Sequence, residues 1–308
     1  MKPSIIVVGS SNTDMIIRVP HLPRPGETVL GGQFLTAAGG KGANQAVAAA
    51  RAGGAVTFLA RVGQDLFGDQ AIRGFIADGI NVDQVKQDRS SPSGVALIFV
   101  AQKGQNSIAV ALGANALLST GDVRRARAAF RKAHVLLTQL ETPLPTVLAA
   151  CRLARAHGLT VILNPAPARP LSAALLKLVT ILTPNESEAE VLTGIRVTSR
   201  CTAARAAQTL LRRGVQTVII TLGEQGAFVA TADTAELIPA FRVKPVDTTA
   251  AGDVFNGALA VALGEGRPLM EAVRVANAAA ALSVTRPGAQ PSAPRRREIE
   301  KLAATSCR

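Results

Sequence analysis

The amino-acid sequence predicts an α/β protein in which a mostly parallel sheet is covered by helices on both faces. Continuous apolar runs rich in Val, Ile and Leu alternate with helical segments, most regularly from about residue 134. Strands that are buried on both faces of a parallel sheet have this composition. A chain of 308 residues with 48% hydrophobic residues is long enough to form one large domain, which we expect over 1–308.

The predicted elements alternate along the chain. Apolar strands are predicted, in order, at 5–9, 56–63, 134–140, 160–166, 181–185 and 217–223. Helices are predicted between them from their length and their Ala, Leu and Arg content, over 43–52, 67–79, a segment ending at Gly158, a segment from about Leu171, ESEAEVLTG and AARAAQTLLRRG. A further helix is predicted to begin at the small residues just before the apolar run VFNGALAVAL (254–263).

Two segments break this alternation. Residues 13–36 and 93–111 contain MIIRV, GETVLGG, GVALIFV and SIAVAL, in which apolar and polar residues alternate without helical spacing. This pattern is typical of half-exposed strands. We expect the two segments to form one small antiparallel sheet, inserted in the main domain and serving as a lid.

Composition argues against several classes of protein. Cys151, Cys201 and Cys307 lie far apart without a CxxC pair, so neither a disulfide framework nor a zinc site is expected. Such cysteine usage predicts a protein of the reducing cytoplasm. No apolar run approaches the length of a membrane span, so no membrane partner is expected. The net charge of +13 suits a nucleic-acid binder, but the basic residues are scattered and the chain lacks Tyr and Trp. We therefore favour an arginine-rich enzyme with anionic ligands and no nucleic-acid partner.

The segment DTTAAGD (247–253) places very small residues at a helix start. A helix N-terminus offers unpaired N–H groups and the positive end of the helix dipole. Because Ala250, Ala251 and Gly252 leave these donors sterically open, a phosphoryl group can approach them. Asp253 is then suited to take a proton from an attacking hydroxyl. The alternative, that Asp253 only caps the helix, is weakened by the Ala-Ala-Gly run.

The segment GGKGAN (39–44) only superficially suggests a P-loop. Its lysine, Lys41, is followed by Gly42 instead of Ser or Thr, so the nucleotide-binding motif is incomplete. A tight turn into the next helix would explain one glycine. Three glycines around a lysine also allow a ligand to approach the backbone closely at a helix N-terminus.

Two further segments follow predicted strands. In TPNESE (183–188), Asn185 and Glu188 have the residue types that order water around Mg²⁺, although an acidic helix start after a proline turn explains them equally well. In TLGEQGA (221–227), a strand is followed by two glycines, which suits a nucleotide that passes close to the chain.

Together these segments resemble the ribokinase family of sugar kinases, also called the PfkB carbohydrate kinase family. The similarity covers nearly the whole chain and includes GSSNTD (9–14), AAGGKGANQAVAAA (37–50), GVALIFV (94–100), NPAPAR (164–169), TPNESEAE (183–190), TLGEQG (221–226), VDTTAAGDVFNGALA (246–260) and TRPGAQPS (285–292). GGKGAN and DTTAAGD at opposite ends of the chain make the resemblance specific, and the long shared segments are most similar to the ribokinases of the family.

The resemblance implies a role for each matching residue. The sugar would be bound by Asn12, Asp14, Gly40, Lys41, Gly42, Asn44 and Glu141. Asp253 would be the catalytic base, and the backbone N–H groups of Ala250, Ala251, Gly252 and Asp253 would form an anion hole for the transferring phosphoryl group. The ATP site would be lined by Asn185, Thr221, Gly223, Gly226, Gly252 and Asn277, and Glu188 would help to organise Mg²⁺.

The resemblance also implies a monovalent cation, preferably K⁺. It would be bound by the side chain of Asp247 and by oxygens of Thr249, Ser283, Arg286, Gly288 and Ser292. Thr249 replaces a more usual aliphatic residue, and Pro287 enters the loop after Arg286. Because backbone carbonyls would bind the ion there, we expect the site to persist.

The implied activity is transfer of the γ-phosphoryl group of ATP to O5 of D-ribose, giving D-ribose 5-phosphate. Three alternatives remain open: a kinase for another pentose such as 2-deoxyribose, a nucleoside kinase, and a non-catalytic regulator that binds sugar or nucleotide. Asp14 and Lys41 suit a small polyhydroxylated ligand better than a nucleoside. The family further implies a cytoplasmic homodimer in which the lid contributes the dimer contact.

Overall fold

The computed structural model describes residues 2–30, 32–102 and 105–305. Its strands are β1 (Ser4–Val8), β2 (Asn12–Val19), β3 (Phe34–Gly39), β4 (Ala55–Gly63), β5 (Val85–Asp88), β6 (Gly94–Ala101), β7 (Asn106–Ala111), β8 (Val135–Thr138), β9 (Thr160–Leu163), β10 (Ile181–Leu182), β11 (Thr217–Thr221), β12 (Ala227–Ala230) and β13 (Ala235–Ile238). Its α-helices are α1 (Lys41–Arg51), α2 (Leu66–Ala77), α3 (Thr120–Arg125), α4 (Arg127–Phe130), α5 (Leu144–Ala156), α6 (Ala173–Leu176), α7 (Glu186–Thr193), α8 (Arg200–Arg212), α9 (Ala251–Gly264), α10 (Leu269–Ser283) and α11 (Arg296–Ala303).

The large sheet has nine strands in the order β13-β12-β11-β10-β9-β8-β1-β4-β5. The pairs from β11 through β5 are parallel, whereas β12 pairs antiparallel with both β11 and β13. The predicted mostly parallel sheet is therefore confirmed. The antiparallel edge formed by β12 and β13 is a feature that the strand pattern alone did not predict.

Helices cover both faces of this sheet, which explains the continuous apolar strands. In β1, Ile5 and Val7 point into a core shared with α1, α9 and α10, whereas Ile6 and Val8 point into a second core shared with α5, α7 and α8. All four side chains are fully buried. Because successive side chains of a strand point to opposite faces, a strand between two helix layers must be apolar at every position.

The four remaining strands form a small sheet in the order β3-β2-β6-β7. The pairs β2–β3 and β6–β7 are antiparallel, as expected, and the central pair β2–β6 is parallel. This sheet brings the two inserted segments together as predicted. Because β2 leads directly from the end of β1, the small sheet begins at the carboxyl edge of the large one.

One part of the predicted lid does not form a strand. GETVLGG (26–32) was expected to pair, but residues 26–30 and 32 are irregular, and Gly31 lies outside the described residues. A local turn competes with pairing here: Glu27 N donates to Arg24 O, and the Glu27 carboxylate accepts from Arg24 N, both at 2.9 Å. The strand that pairs with β2 is instead β3.

Among the described helices, none combines the length and the apolar character that crossing a membrane requires.

Candidate active site

Polar residues collect at the carboxyl ends of four adjacent strands. Ser10 follows β1, Gln139 follows β8, Asn164 follows β9 and Thr183 follows β10. All four side chains are at least nine-tenths buried. In open α/β sheets, ligands bind at this edge. The N-terminus of α1 lies at the same edge, because α1 follows the small sheet and its first residues contact the end of β1. The N-terminus of α9 lies there too, because Asp253 in its first turn contacts Asn44 and Gln45 of α1.

Asp253 lies in the first turn of α9 and is 5% exposed. Its Oδ2 accepts a hydrogen bond from Asn44 Nδ2 at 3.0 Å, and its Oδ1 accepts one from Gln45 Nε2 at 2.9 Å. The carboxylate is thus held by two side chains of α1 and does not cap its own helix. Burial raises the pKa of Asp253, and Lys41 together with the two amide donors opposes that shift.

The backbone before Asp253 has an unusual conformation. Within residues 2–30, 32–102 and 105–305, Ala250 is the only non-glycine residue with a left-handed φ, at 59°. Such a residue costs on the order of 1–3 kcal/mol, and residues of this kind cluster at active sites and ligand-binding turns. A Cβ added to Gly252 would meet no described heavy atom within 4 Å. The helix start is therefore open on the side of Gly252, as the anion-hole prediction requires.

The glycines of GGKGAN have a packing role in this structure. A Cβ on Gly40, whose φ is 88°, would lie 2.7 Å from Asn12 N, and one on Gly42 would lie 2.4 Å from Ser10 N. A Cβ on Gly39 would lie 2.3 Å from Asp14 Oδ2. The close contacts bring the start of α1 against the end of β1 and leave room for the Asp14 carboxylate.

The predicted sugar-binding residues converge around Lys41. Lys41 N donates to Glu141 Oε2 at 2.9 Å, and Ser10 Oγ donates to the same oxygen. Burial lowers the pKa of Lys41, but the carboxylates of Asp253, Glu141, Glu188 and Asp14 outweigh it, so the pKa is raised. The Lys41 ammonium is thus charged among four acidic groups.

Asp14 is half-buried in the same group of charges. Burial, and then the negative charges of Glu141 and Asp253, raise the pKa of Asp14 to about 6, while Lys41 acts in the opposite direction. A carboxylate with these neighbours is well suited to accept hydrogen bonds from a neutral polyol. It is poorly suited to bind an anion.

Two side-chain amides complete the sugar-binding side of the site. Asn12 Oδ1 accepts from Asn115 Nδ2 at 2.8 Å, and Asn115 also bonds both backbone groups of Ser11. Asn44 Oδ1 is buried and has no hydrogen-bond partner among the described residues. A buried acceptor without a partner is costly, so Asn44 is suited to accept a ligand hydroxyl.

The predicted nucleotide-binding residues lie along β11 and its neighbours. Asn185 forms an isolated parallel bridge with Thr221. Asn277 Nδ2 donates to Ile238 O at 3.0 Å, and a Cβ on Gly226 would lie 2.1 Å from that same carbonyl. Asn277 and Gly226 thus fix the chain after β13, whereas the left-handed Gly223 faces open space, with no described heavy atom within 4 Å of a Cβ.

Asn185 and Glu188 form a capping box at the start of α7. Asn185 Oδ1 accepts from Glu188 N at 2.8 Å, and Glu188 Oε2 accepts from Asn185 N at 2.9 Å. The helix-start interpretation of this motif is therefore confirmed. Burial raises the pKa of Glu188. Each oxygen of a carboxylate accepts more than one hydrogen bond, so Glu188 can still bind a water of a hydrated Mg²⁺.

The predicted cation ligands lie next to the start of α9. Asp247 Oδ2 accepts from Gly288 N at 2.8 Å, and its Oδ1 accepts from Thr249 N at 2.9 Å. Arg286 N donates to the carbonyl of Ser283, and Ser292 Oγ donates to the carbonyl of Ala289. Although burial opposes it, hydrogen bonds from Thr249 and Gly288 lower the pKa of Asp247, so the carboxylate carries a negative charge. The carboxylate of Asp247 and the neighbouring carbonyls are oxygen ligands of the kind that the predicted cation requires.

The sequence did not single out Gln45, Gln139, Asn164 or Asn115, although all four are buried polar residues next to the predicted site. Gln45 had a detectable signal, because it is one of the few polar residues in the alanine-rich α1. Gln139 and Asn164 follow strands, and Asn115 lies in a short 3-10 helix over Gly113–Leu117. Their roles depend on which strands are neighbours in the sheet, and the sequence does not give that order.

A model of the pfkB family carbohydrate kinases matches residues 2–296. A ribokinase of Haemophilus influenzae is 46% identical over 298 residues, which cover 97% of this chain and 97% of that protein. A deoxyribokinase of Salmonella typhi is 41% identical over 291 residues, which cover 94% of this chain and 95% of that protein. The structure of Arabidopsis thaliana ribokinase complexed with ribose and ATP aligns with a TM-score of 0.92 and 33% identity, covering 99% of this chain and 100% of that chain.

Proposed function

The chain belongs to the pfkB family of carbohydrate kinases, and from this premise we propose that it phosphorylates D-ribose at O5 with ATP and that Asp253 is the general base. The single observation that carries the proposal is the position of Asp253. Its buried carboxylate is held by Asn44 and Gln45 directly beside the open start of α9. A base at that point would lie between a sugar hydroxyl bound on the Lys41 side and a phosphoryl group bound at the N-terminus of α9.

In the proposed reaction, Asp253 takes the proton of the sugar's 5-hydroxyl while O5 of the sugar attacks the γ-phosphorus. The new O5–P bond forms while the bond from the γ-phosphorus to the bridging oxygen breaks, and ADP leaves with the bond's electrons. Negative charge develops on the transferred group, and the N–H groups of 250–253 stabilise it. Lys41, charged among the site's carboxylates, adds a positive charge next to the reacting groups.

The residues also fit the two cations of the proposal. Mg²⁺ would be held through water by Glu188, next to Asn185, and would neutralise the charge of the ATP phosphates. K⁺ would be held by Asp247 and by oxygens of Thr249, Ser283, Arg286, Gly288 and Ser292. The ATP itself would lie along Asn185, the 221–226 loop and Asn277.

The test is an assay of ADP release with a panel of acceptors: D-ribose, 2-deoxyribose, other pentoses and adenosine. D-ribose should give the highest kcat/KM. Highest activity with adenosine would favour the nucleoside kinase, against which the lack of Tyr and Trp argues. No ADP release with any acceptor, in a folded protein that binds ATP, would favour the non-catalytic regulator. Because the reaction consumes ATP, we place the protein in the cytoplasm as part of this proposal.

The first prediction from the proposal concerns K⁺. A cation held by Asp247 would fix the turn that carries the anion hole, so exchanging K⁺ for a bulky organic cation at constant ionic strength should reduce kcat by roughly tenfold, less than the loss of a whole oxyanion donor. The Asp247→Asn variant should have a low kcat that does not change when K⁺ is exchanged for the organic cation. Asp233→Asn, at an exposed turn, is the control. Equal rates with both cations would contradict the cation site.

The second prediction is a homodimer formed through the small sheet, which we propose is a lid over the sugar. Phe34 is 59% exposed and Ile108 is 55% exposed on its two outer strands, β3 and β7. A second copy covering such apolar strands would also protect their edges. Light scattering at micromolar concentration should give a dimer mass, and Ile108→Lys a monomer mass. Ile76→Lys, on α2 and 57% exposed, should remain dimeric; a monomeric wild type would refute the proposal.

A further inference from the structure

Gln45 is a fully buried amide that contacts Asp253 from α1. Its Nε2 donates to Asp253 Oδ1 at 2.9 Å and to Asn164 Oδ1 at 3.1 Å. Its Oε1 accepts a hydrogen bond from Gln139 Nε2. Both hydrogens of the Gln45 amide and its oxygen are therefore used, and one of these bonds goes to the proposed general base.

The residues at the edge of the sheet determine which end of the Gln45 amide faces Asp253. Asn164 Nδ2 donates to Thr183 O at 3.1 Å, which leaves the Asn164 oxygen as the acceptor next to Gln45. Gln139 presents its donor from the other side. A flipped Gln45 would place its oxygen against the acceptors of Asp253 and Asn164, and its nitrogen against the donor of Gln139. The carboxylate of Asp253 and the oxygen of Asn164, at the end of β9, thus fix the donor orientation of Gln45.

The packing of α1 on α9 fixes the distance between Gln45 and Asp253. A Cβ added to Gly257 of α9 would lie 2.6 Å from Ala48 Cβ and 2.9 Å from the backbone oxygen of Gln45. The missing side chain lets the two helices approach closely at the point where Gln45 projects toward Asp253. Gln45 is therefore held by the sheet at its amide and by α9 at its backbone.

We propose that Gln45 is a positioning residue for the general base, in that its amide fixes the plane of the Asp253 carboxylate together with Asn44 and favours the ionised form. The proposal rests on the proposed function, in which Asp253 takes the proton from the sugar. The other charged groups that act on Asp253 are Lys41, which favours the ionised form, and Glu141, which opposes it. Asp14 and Glu188 belong to the same group of charges around Lys41.

The test replaces Gln45 with methionine, which has a similar volume and cannot donate a hydrogen bond. A hydrogen bond to a charged group contributes enough that Gln45→Met should lower kcat by roughly ten- to a hundredfold. KM for ribose should change little, because Gln45 is behind Asp253. The acid limb of the pH profile of kcat should move up by about one pH unit, because the ionised carboxylate loses a donor.

The matched control is Thr180→Val at the amino end of the sheet, where Thr180 Oγ1 accepts a hydrogen bond from Val161 N at 3.0 Å. It removes one hydrogen bond far from the site and should change neither kcat nor its pH profile. An acid limb that stays in place in Gln45→Met, with a loss of kcat that follows the loss of thermal stability, would overturn the proposal in favour of a structural role.

A double-mutant cycle with Asp253→Asn separates the two proposals. If Gln45 acts through Asp253, Gln45→Met should have almost no further effect on kcat in the Asp253→Asn protein. If the fold-losses of kcat in the two single variants multiply in the double variant, Gln45 does not act through Asp253. The positioning role is then overturned, and the assignment of Asp253 as the base is unaffected. If Asp253→Asn alone keeps nearly full kcat, the proposed base is wrong, and with it the premise for Gln45.

Discussion

Asp253→Asn should lower kcat by roughly two to four decades, the usual size of a general-base contribution. The amide that replaces the carboxylate cannot take the proton of the attacking hydroxyl. Ribose affinity should change much less, because Asp14, Lys41 and Asn12 would still bind the sugar. The measurement is ADP release in a coupled assay for kcat and titration calorimetry for ribose binding.

Asp253→Asn must remain folded for this comparison. Thermal melting should show a modest loss of stability: the amide nitrogen faces one of the two donors, Asn44 or Gln45, but the neutral amide avoids the burial of a charge. Asp233→Asn, at an exposed turn, should keep full activity. An Asp253→Asn protein within about tenfold of wild-type activity would contradict the base assignment, since a general base contributes more than that.

The order and type of the main elements could be predicted from the sequence because the large sheet is buried on both faces. Strands such as β1 and β8 are continuously apolar apart from one terminal residue each, Ser4 and Thr138, so they are detected without knowledge of their neighbours. The edge strand β13 is different. Its first two residues are exposed and its last two are half-buried, so a segment as short as Ala235–Ile238 carries no period-two pattern of its own.

The site was predictable where unusual residue types mark it. Ala250 and Gly252 indicate an open helix start, because a cap residue would normally be expected there. The capping box of Asn185 and Glu188 shows the opposite case, since residue types that cap a helix start are also those that we propose for a hydrated metal ion. Sequence alone does not choose between these roles, because a carboxylate that caps a helix keeps lone pairs with which it can accept a further hydrogen bond.

The amides behind Asp253 were not predictable for a different reason. Gln45, Gln139 and Asn164 are separated by tens of residues along the chain, and ordinary polar residues are common near strand ends. Their alignment follows from β8, β9 and β1 being neighbours in the sheet. Only the fold shows that the three amides form a connected set of hydrogen bonds.

The prediction with the second-largest effect concerns the choice between ribose and 2-deoxyribose. A ribokinase and a deoxyribokinase are 46% and 41% identical to this chain, so overall similarity does not decide the sugar. We propose that the Asp14 carboxylate distinguishes the two sugars by accepting hydrogen bonds from the hydroxyl groups of ribose. It is half-buried beside Gly39, and the charges of Glu141 and Asp253 act on it.

We expect 2-deoxyribose to be at least about tenfold worse than ribose in kcat/KM. A buried acceptor that loses its donor costs roughly 1–3 kcal/mol, and more if charged. A difference of about 1.4 kcal/mol corresponds to one decade. Sites built to bond a hydroxyl reject the analogue without it more strongly than apolar pockets reject a missing methylene. The lid would increase the discrimination against 2-deoxyribose by excluding water that could replace the missing hydroxyl.

Asp14→Ala should reduce kcat/KM for ribose severely, by roughly two decades or more if two hydrogen bonds to a charged acceptor are lost. The gap between the two sugars should narrow, because the variant no longer distinguishes them at this position. Asp83→Ala, at an exposed position two residues before β5, is the control and should leave both values unchanged. A severe loss with an unchanged ratio would show that Asp14 binds the sugar without reading the 2-hydroxyl.

The pH dependence of ribose use gives an independent readout of the same carboxylate. Because the pKa of Asp14 is raised to about 6, its ionised fraction falls as the pH drops through 6. Only the ionised form accepts hydrogen bonds at both oxygens, so KM for ribose should rise over that range and stay flat above it. Asp14→Asn should remove this rise, while the acid limb of kcat that Asp253 sets should remain. If wild-type ribose KM is flat down to pH 5 and both sugars are used equally, Asp14 does not determine the substrate, and 2-deoxyribose becomes as good an assignment as ribose.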